Sequence, residues 1–191
     1  MESYVQFSHV DLAIREIEVI YTYLTKSFHV VENQMSLDEI EKEYPFVIDS
    51  NYSITYIELS FPYRFDDTFF NIITPQRWHS IKNVIKEIKH RRGKIPVVVL
   101  LKCIGAININ CNIVFCIKNK VGKQFEMAIE KIEYLVDVIP SQLNILPKNI
   151  VEVIYHFDDS SAKWVPFLAK SNEKNDIIRF DFNDGKWTII N

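Results

Sequence analysis

Residues 95–101, Ile-Pro-Val-Val-Val-Leu-Leu, form the longest apolar run in the chain. A run without polar alternation has no face to give to water, so as a strand it needs cover on both sides. It is far too short to cross a bilayer, which takes roughly 20 apolar residues in a helix. The chain must therefore build a sheet with this segment inside it, and the neighbouring segments must supply the covering layers.

Two amphipathic helical patterns flank the run. Thr74-Pro75 is a favourable helix start, and the spacing predicts a helix over residues 75–92 with Gly93 as its C-terminal cap. Its apolar stripe is Trp78, Ile81, Val84, Ile85 and Ile88. A second stripe, Phe125, Ala128, Ile129, Ile132, Leu135, Val136 and Ile139, predicts a helix after Gly122, over 123–139, that Pro140 ends. Glu126, Glu130, Glu133 and Asp137 lie on its outer side. Strands are expected over 52–61, 68–73, 95–104, 107–117 and 150–157. A short helical turn is expected over 163–170. A hairpin is expected over 177–190, around Asn183-Asp184-Gly185.

Between residues 68 and 157 the order reads strand, helix, strand, strand, helix, strand. The fold class expected is therefore α+β, with a ferredoxin-like split β-α-β-β-α-β core. In the central hairpin, a three-residue loop at 105–107 would set Lys102 opposite Asn110, so that polar pairs with polar. Residues 1–67 add N-terminal helices and a strand, and 158–191 add the C-terminal hairpin, all within one domain of 191 residues.

The N-terminal helices matter most for function. Ser8 with Asp11 resembles a capping box, and Val10, Ala13, Ile17, Ile20, Leu24 and Phe28 predict a helix over 8–28. The same helix carries Leu12, Val19 and Tyr23 on roughly its opposite side. A helix apolar on two sides needs two covers. Ser36 and Glu39 open a short second helix that Pro45 stops, and its Leu37 and Ile40 are the candidate second cover. If they lie elsewhere, Leu12, Val19 and Tyr23 become an interface patch.

The net charge of −3 is too mild to imply a nucleic-acid partner by itself. The basic residues that do cluster are Lys82, Lys86, Lys89, Arg91, Arg92 and Lys94, with His79 and His90 nearby. They are candidate phosphate or nucleic-acid ligands. The plainer reading is a solvated face whose positive end complements the helix dipole. His156, Asp158 and Asp159 sit at a predicted strand end, and Asp66-Asp67 at the end of a loop. Together they could hold a divalent metal for phosphoester chemistry. Asp pairs are, however, common turn formers. Asn108, Asn110 and Asn112 could line a polar groove. With 28 Ile against 10 Leu, an AT-rich codon bias accounts for such asparagines equally well.

The three cysteines, 103, 111 and 116, are an odd number in a chain whose start has no signal-peptide pattern. They read as buried thiols of a cytoplasmic protein, and an odd separation sends Cys111 and Cys116 to opposite faces of a strand. No phosphate-cradling Gly loop, nucleophile elbow or His-Glu-x-x-His helix occurs. No cofactor is expected. These readings favour a non-catalytic binding or regulatory module that self-associates as a homodimer and takes a small ligand or protein partner. A metal-dependent phosphoester enzyme and a nucleic-acid binder are the alternatives.

Overall fold

The computed structural model describes residues 4–47, 53–106, 110–118, 122–143, 146, 149–172, 177–181 and 186–190. The expected Asn183-Asp184-Gly185 turn, residues 173–176, and Asn108 lie outside them. The strands are β1 (Val5–Val10), β2 (Val30–Gln34), β3 (Thr55–Phe61), β4 (Val97–Cys103), β5 (Asn112–Ile117), β6 (Ile150–Asp158), β7 (Lys163–Ser171), β8 (Ile177–Asp181) and β9 (Lys186–Ile190). The helices are α1 (Ile14–Thr25), α2 (Leu37–Glu43), α3 (Asp67–Ile73), α4 (Pro75–Arg92), α5 (Gly122–Lys131) and α6 (Ile139–Leu143). A 3-10 turn, Ile132–Leu135, joins the last two.

All nine strands form one mixed sheet in the order β2-β1-β3-β4-β5-β6-β7-β8-β9. The apolar run becomes β4, in the interior of that sheet, and its residues alternate between two cores. Val97, Val99 and Leu101 join one core with Ile20 and Leu24 of α1, Ile85 of α4 and Phe125 of α5. Val98 and Leu100 join the other with Ile40 and Tyr44 at α2. Helices α1, α4 and α5 thus cover one face of the sheet, and α2 covers part of the other. Ile85 and Ile132 are both buried, as their stripes require.

The chain is α+β, and its sheet is larger than the pattern suggested. The split arrangement does not occur. β3 and β4 are parallel and directly adjacent, as are β5 and β6, with no strand inserted between either pair. One cause is that residues 68–73 are helix α3. The Asp66 carboxylate accepts from the Phe69 amide at 3.1 Å, and Phe69 and Ile73 bury one helical face. The first strand of the unit is instead β3.

Four other segments depart from the pattern. Residues 5–10 form β1, with Val5 and Phe7 inward, and α1 begins only at Ile14. The Ala13 amide donates to Glu16 at 2.9 Å, so Glu16 caps that helix where Asp11 was expected to act. β5 starts at Asn112, and Lys102 lies opposite Val114, not Asn110. The helix expected over 123–139 ends at Lys131, and Pro140 sits in the first turn of α6, where its missing N–H costs nothing. Residues 163–170 are β7, an inner strand. Its Pro166 lies at a register shift opposite Tyr155, where a residue that cannot donate to the ladder belongs.

Candidate functional site

Helix α4 is the middle helix of the three that cover the sheet, and it carries the basic residues. Lys82 is buried, and its ammonium donates to Glu130 at 2.7 Å and Glu133 at 2.9 Å, both across in α5 and the following turn. Lys86 donates to the other oxygen of Glu130. The Trp78 indole N–H also donates to Glu133, at 2.7 Å. Burial opposes the Lys82 ammonium, but Glu130 and Glu133 outweigh it and hold its pKa above the usual lysine value. Burial likewise opposes Glu130, and Lys82 and Lys86 outweigh it to hold that carboxyl low.

Most of the rest of the basic cluster is also committed within the chain. Arg92 donates to Glu16 at 2.8 Å, to the Asp11 carbonyl at 2.6 Å and to the Thr55 hydroxyl at 2.9 Å. Arg91 pairs with Glu16 and Glu87. Lys89 is buried and reaches the Gly93 carbonyl, and burial lowers its pKa. Lys94 is exposed. Lys82 and Lys86 of α4 and Glu130 and Glu133 beyond it therefore meet inside one chain.

Two open grooves flank α4. Between α1 and α4 lies one of about 480 Å³, lined by Val19, Tyr23 and Val84 with Arg15, Glu16 and Glu87 around them. Val19 is 40 % exposed. Leu12 is half-buried against the core. The candidate second cover, α2, packs on the opposite face of the sheet through Ile40. Between α4 and α5 lies the second groove, of about 680 Å³, whose wall includes Phe70, Trp78, Tyr134 and the Lys82 ion cluster.

The other candidates are placed as follows. The Asp158 carboxylate is held down to about 2 by hydrogen bonds from the Ser161 and Ser160 hydroxyls, which close the turn after β6. His156 is half-buried against Phe167, with ring centroids 4.7 Å apart, and burial lowers its pKa. Asp159 is exposed at that turn. Among the described residues, no three His, Cys, Asp or Glu side chains come together in a metal-holding arrangement. All three cysteines are buried and unpaired, and Cys103 and Cys111 face the core opposite to that of Cys116. Asn110 accepts from Arg64 at 3.1 Å. Among the described residues, no helix is long and apolar enough to cross a membrane.

A polar cluster that the pattern did not single out lies on the α2 side of the sheet. Lys102 of β4 contacts Glu152 of β6 at 3.0 Å and the Tyr44 hydroxyl at 3.2 Å. Lys170 of β7 contacts the same Glu152 at 2.8 Å and the Glu43 carbonyl at 3.1 Å. Its ammonium stands 4.3 Å from the centre of the Tyr44 ring. Burial pushes the Tyr44 hydroxyl pKa up, and Glu152, Glu58 and Glu43 add to the rise. The cluster fastens the end of α2 to the sheet. Its sequence signal is a single charge inside each of several strand patterns.

No protein-family model, curated protein or solved structure matches this chain.

Proposed function

We propose that the chain is a non-catalytic binding module that self-associates through the groove between α1 and α4. The observation that carries this reading is the position of Val19 and Tyr23. They line an open groove, because the candidate cover, α2, lies across the sheet. The rim also suits a copy of itself. A twofold contact places one patch against the same patch, so it must carry its own complement. Its exposed rim has arginines (15 and 91) and a glutamate (87) around an apolar floor, while Glu16 is buried and bound by Arg91 and Arg92. Such rim charges guide association more than they stabilise it.

The alternatives draw less support. The basic residues that a nucleic acid would need are mostly engaged by Glu130, Glu133, Glu16 and Asp11. The carboxylate that a metal site would need at Asp158 is engaged by its own turn.

The test is light scattering at micromolar concentration on the wild type, Val19→Glu and Tyr23→Glu, with circular dichroism to verify folding. A dimeric wild type and monomeric, folded variants are expected. A monomeric wild type, or a dimer indifferent to both charges, overturns the reading.

A further inference from the structure

We propose that the groove between α4 and α5 binds a small organic cation with an aromatic or similarly apolar body. This site lies on the other side of α4 from the self-association groove and does not depend on it. At about 680 Å³ it is of the size that small ligands occupy.

Its walls specify the body of the ligand. Phe70 packs edge-on against Trp78, with centroids 5.8 Å apart, and Trp78 is anchored by its bond to Glu133. Tyr134, in the 3-10 turn after α5, lines the same groove and is 71 % exposed. A ring left this bare beside two packed aromatics offers a ligand apolar surface and the negative face of a π system.

Its charges specify the sign. The ionised lining groups are Asp67, Glu130, Glu133 and Lys82. Lys82 is only 3 % exposed and enclosed by the two glutamates, so an incoming anion finds no free ammonium. The carboxylates are more accessible, at 41 % for Glu130 and 32 % for Glu133. Asp67 is exposed at the mouth with no ion-pair partner among the described residues. An ammonium over Tyr134 has Asp67 and Glu133 as counter-charges in the same lining, whose basic members are the enclosed Lys82 and His79. A carboxylate in the same place meets like charges.

The experiment titrates the full chain with three compounds of one shape: 2-phenylethylammonium, 2-phenylethanol and 3-phenylpropionate. The reporter is the Trp78 indole N–H resonance, identified by its loss in Trp78→Phe. The ammonium is expected to shift that resonance saturably, and the other two to bind at least roughly tenfold more weakly. Tyr134→Ala and Asp67→Asn change exposed residues and leave the fold intact by circular dichroism. Each is expected to weaken the ammonium by roughly two- to fivefold. Equal binding of all three compounds overturns the charge assignment. No saturable shift at millimolar ammonium, or a shift untouched by both variants, overturns the site.

Discussion

The Tyr56 hydroxyl donates to Glu58 Oε2 across 2.6 Å, two residues apart on one face of β3 and both buried. Burial pushes the Glu58 carboxyl up, the Tyr56 hydrogen bond opposes the rise without cancelling it, and Glu43 adds to it. The folded protein therefore keeps a proton on Glu58 at pH values where the unfolded chain has released it. Through that window, from the ordinary carboxylate range up to the raised value, this group makes stability fall as pH rises, and the loss is complete above it.

Glu58→Gln keeps the shape and removes the titration. The stability of the variant relative to wild type should therefore climb as pH rises from about 4 to about 8, measured by urea unfolding at each pH. A difference that stays flat over that range means Glu58 ionises in the fold as it does in water. Any fixed cost of housing the amide shifts both ends equally and does not disturb the comparison.

The Lys82–Glu130 contact makes a separate prediction. Lys82→Met removes a buried ammonium but leaves Glu130 with Lys86 and Glu133 with Trp78. The carboxylates are also partly wet, so the cost should sit below that of a fully enclosed pair, at about 1–3 kcal/mol. A double-mutant cycle with Glu130→Gln should show coupling of about 0.5 kcal/mol or more. Additive losses in denaturant titrations would mean that the two side chains do not share an interaction.

Where the chain was legible, several independent signals agreed. α4 has a proline start, a glycine stop and an unbroken apolar stripe, and it forms as read. Residues 68–73 show why short apolar segments resist reading. Phe69, Phe70, Ile72 and Ile73 suit a strand by composition, and one carboxylate cap at Asp66 tips them into a helix. Over 163–170 the alternation of buried Trp164, Pro166 and Leu168 is a strand signal that the proline obscures. The sites were less legible because they are products of register. Lys102 faces Glu152 only once β4, β5 and β6 are aligned, through the pairs Lys102–Val114 and Asn112–Glu152. Lys82 meets Glu130 only because α4 and α5 pack side by side, which neither stripe states alone.

The cysteines should be chemically silent in the folded state. Burial pushes Cys111 up to about 11 and Cys116 up to about 12, and Cys103 is raised further by burial and by Asp66. The thiolate is the reactive form, so all three should resist a disulfide reagent at about pH 8 and react only through unfolding. Ellman titration should report three thiols in guanidinium chloride. Rapid native labelling of any of them would place that thiol at the surface.

Thr74 both ends α3 and begins α4, with φ 64° and ψ 145°. Its carbonyl must accept from the Trp78 amide, which it does at 3.0 Å, while Pro75 follows at once and forbids it the helical conformation. A β-branched residue at positive φ is strained, typically by about 1–3 kcal/mol. The Thr74 side chain returns no capping hydrogen bond to offset this. Thr74→Gly relieves the strain and costs about 0.5–1 kcal/mol through the freer unfolded chain, so a net gain of about 1 kcal/mol is expected. Thr74→Ala keeps a Cβ and should gain little. Urea unfolding of the two variants separates the effects. A glycine variant no more stable than the alanine variant would show that the backbone at position 74 is not strained.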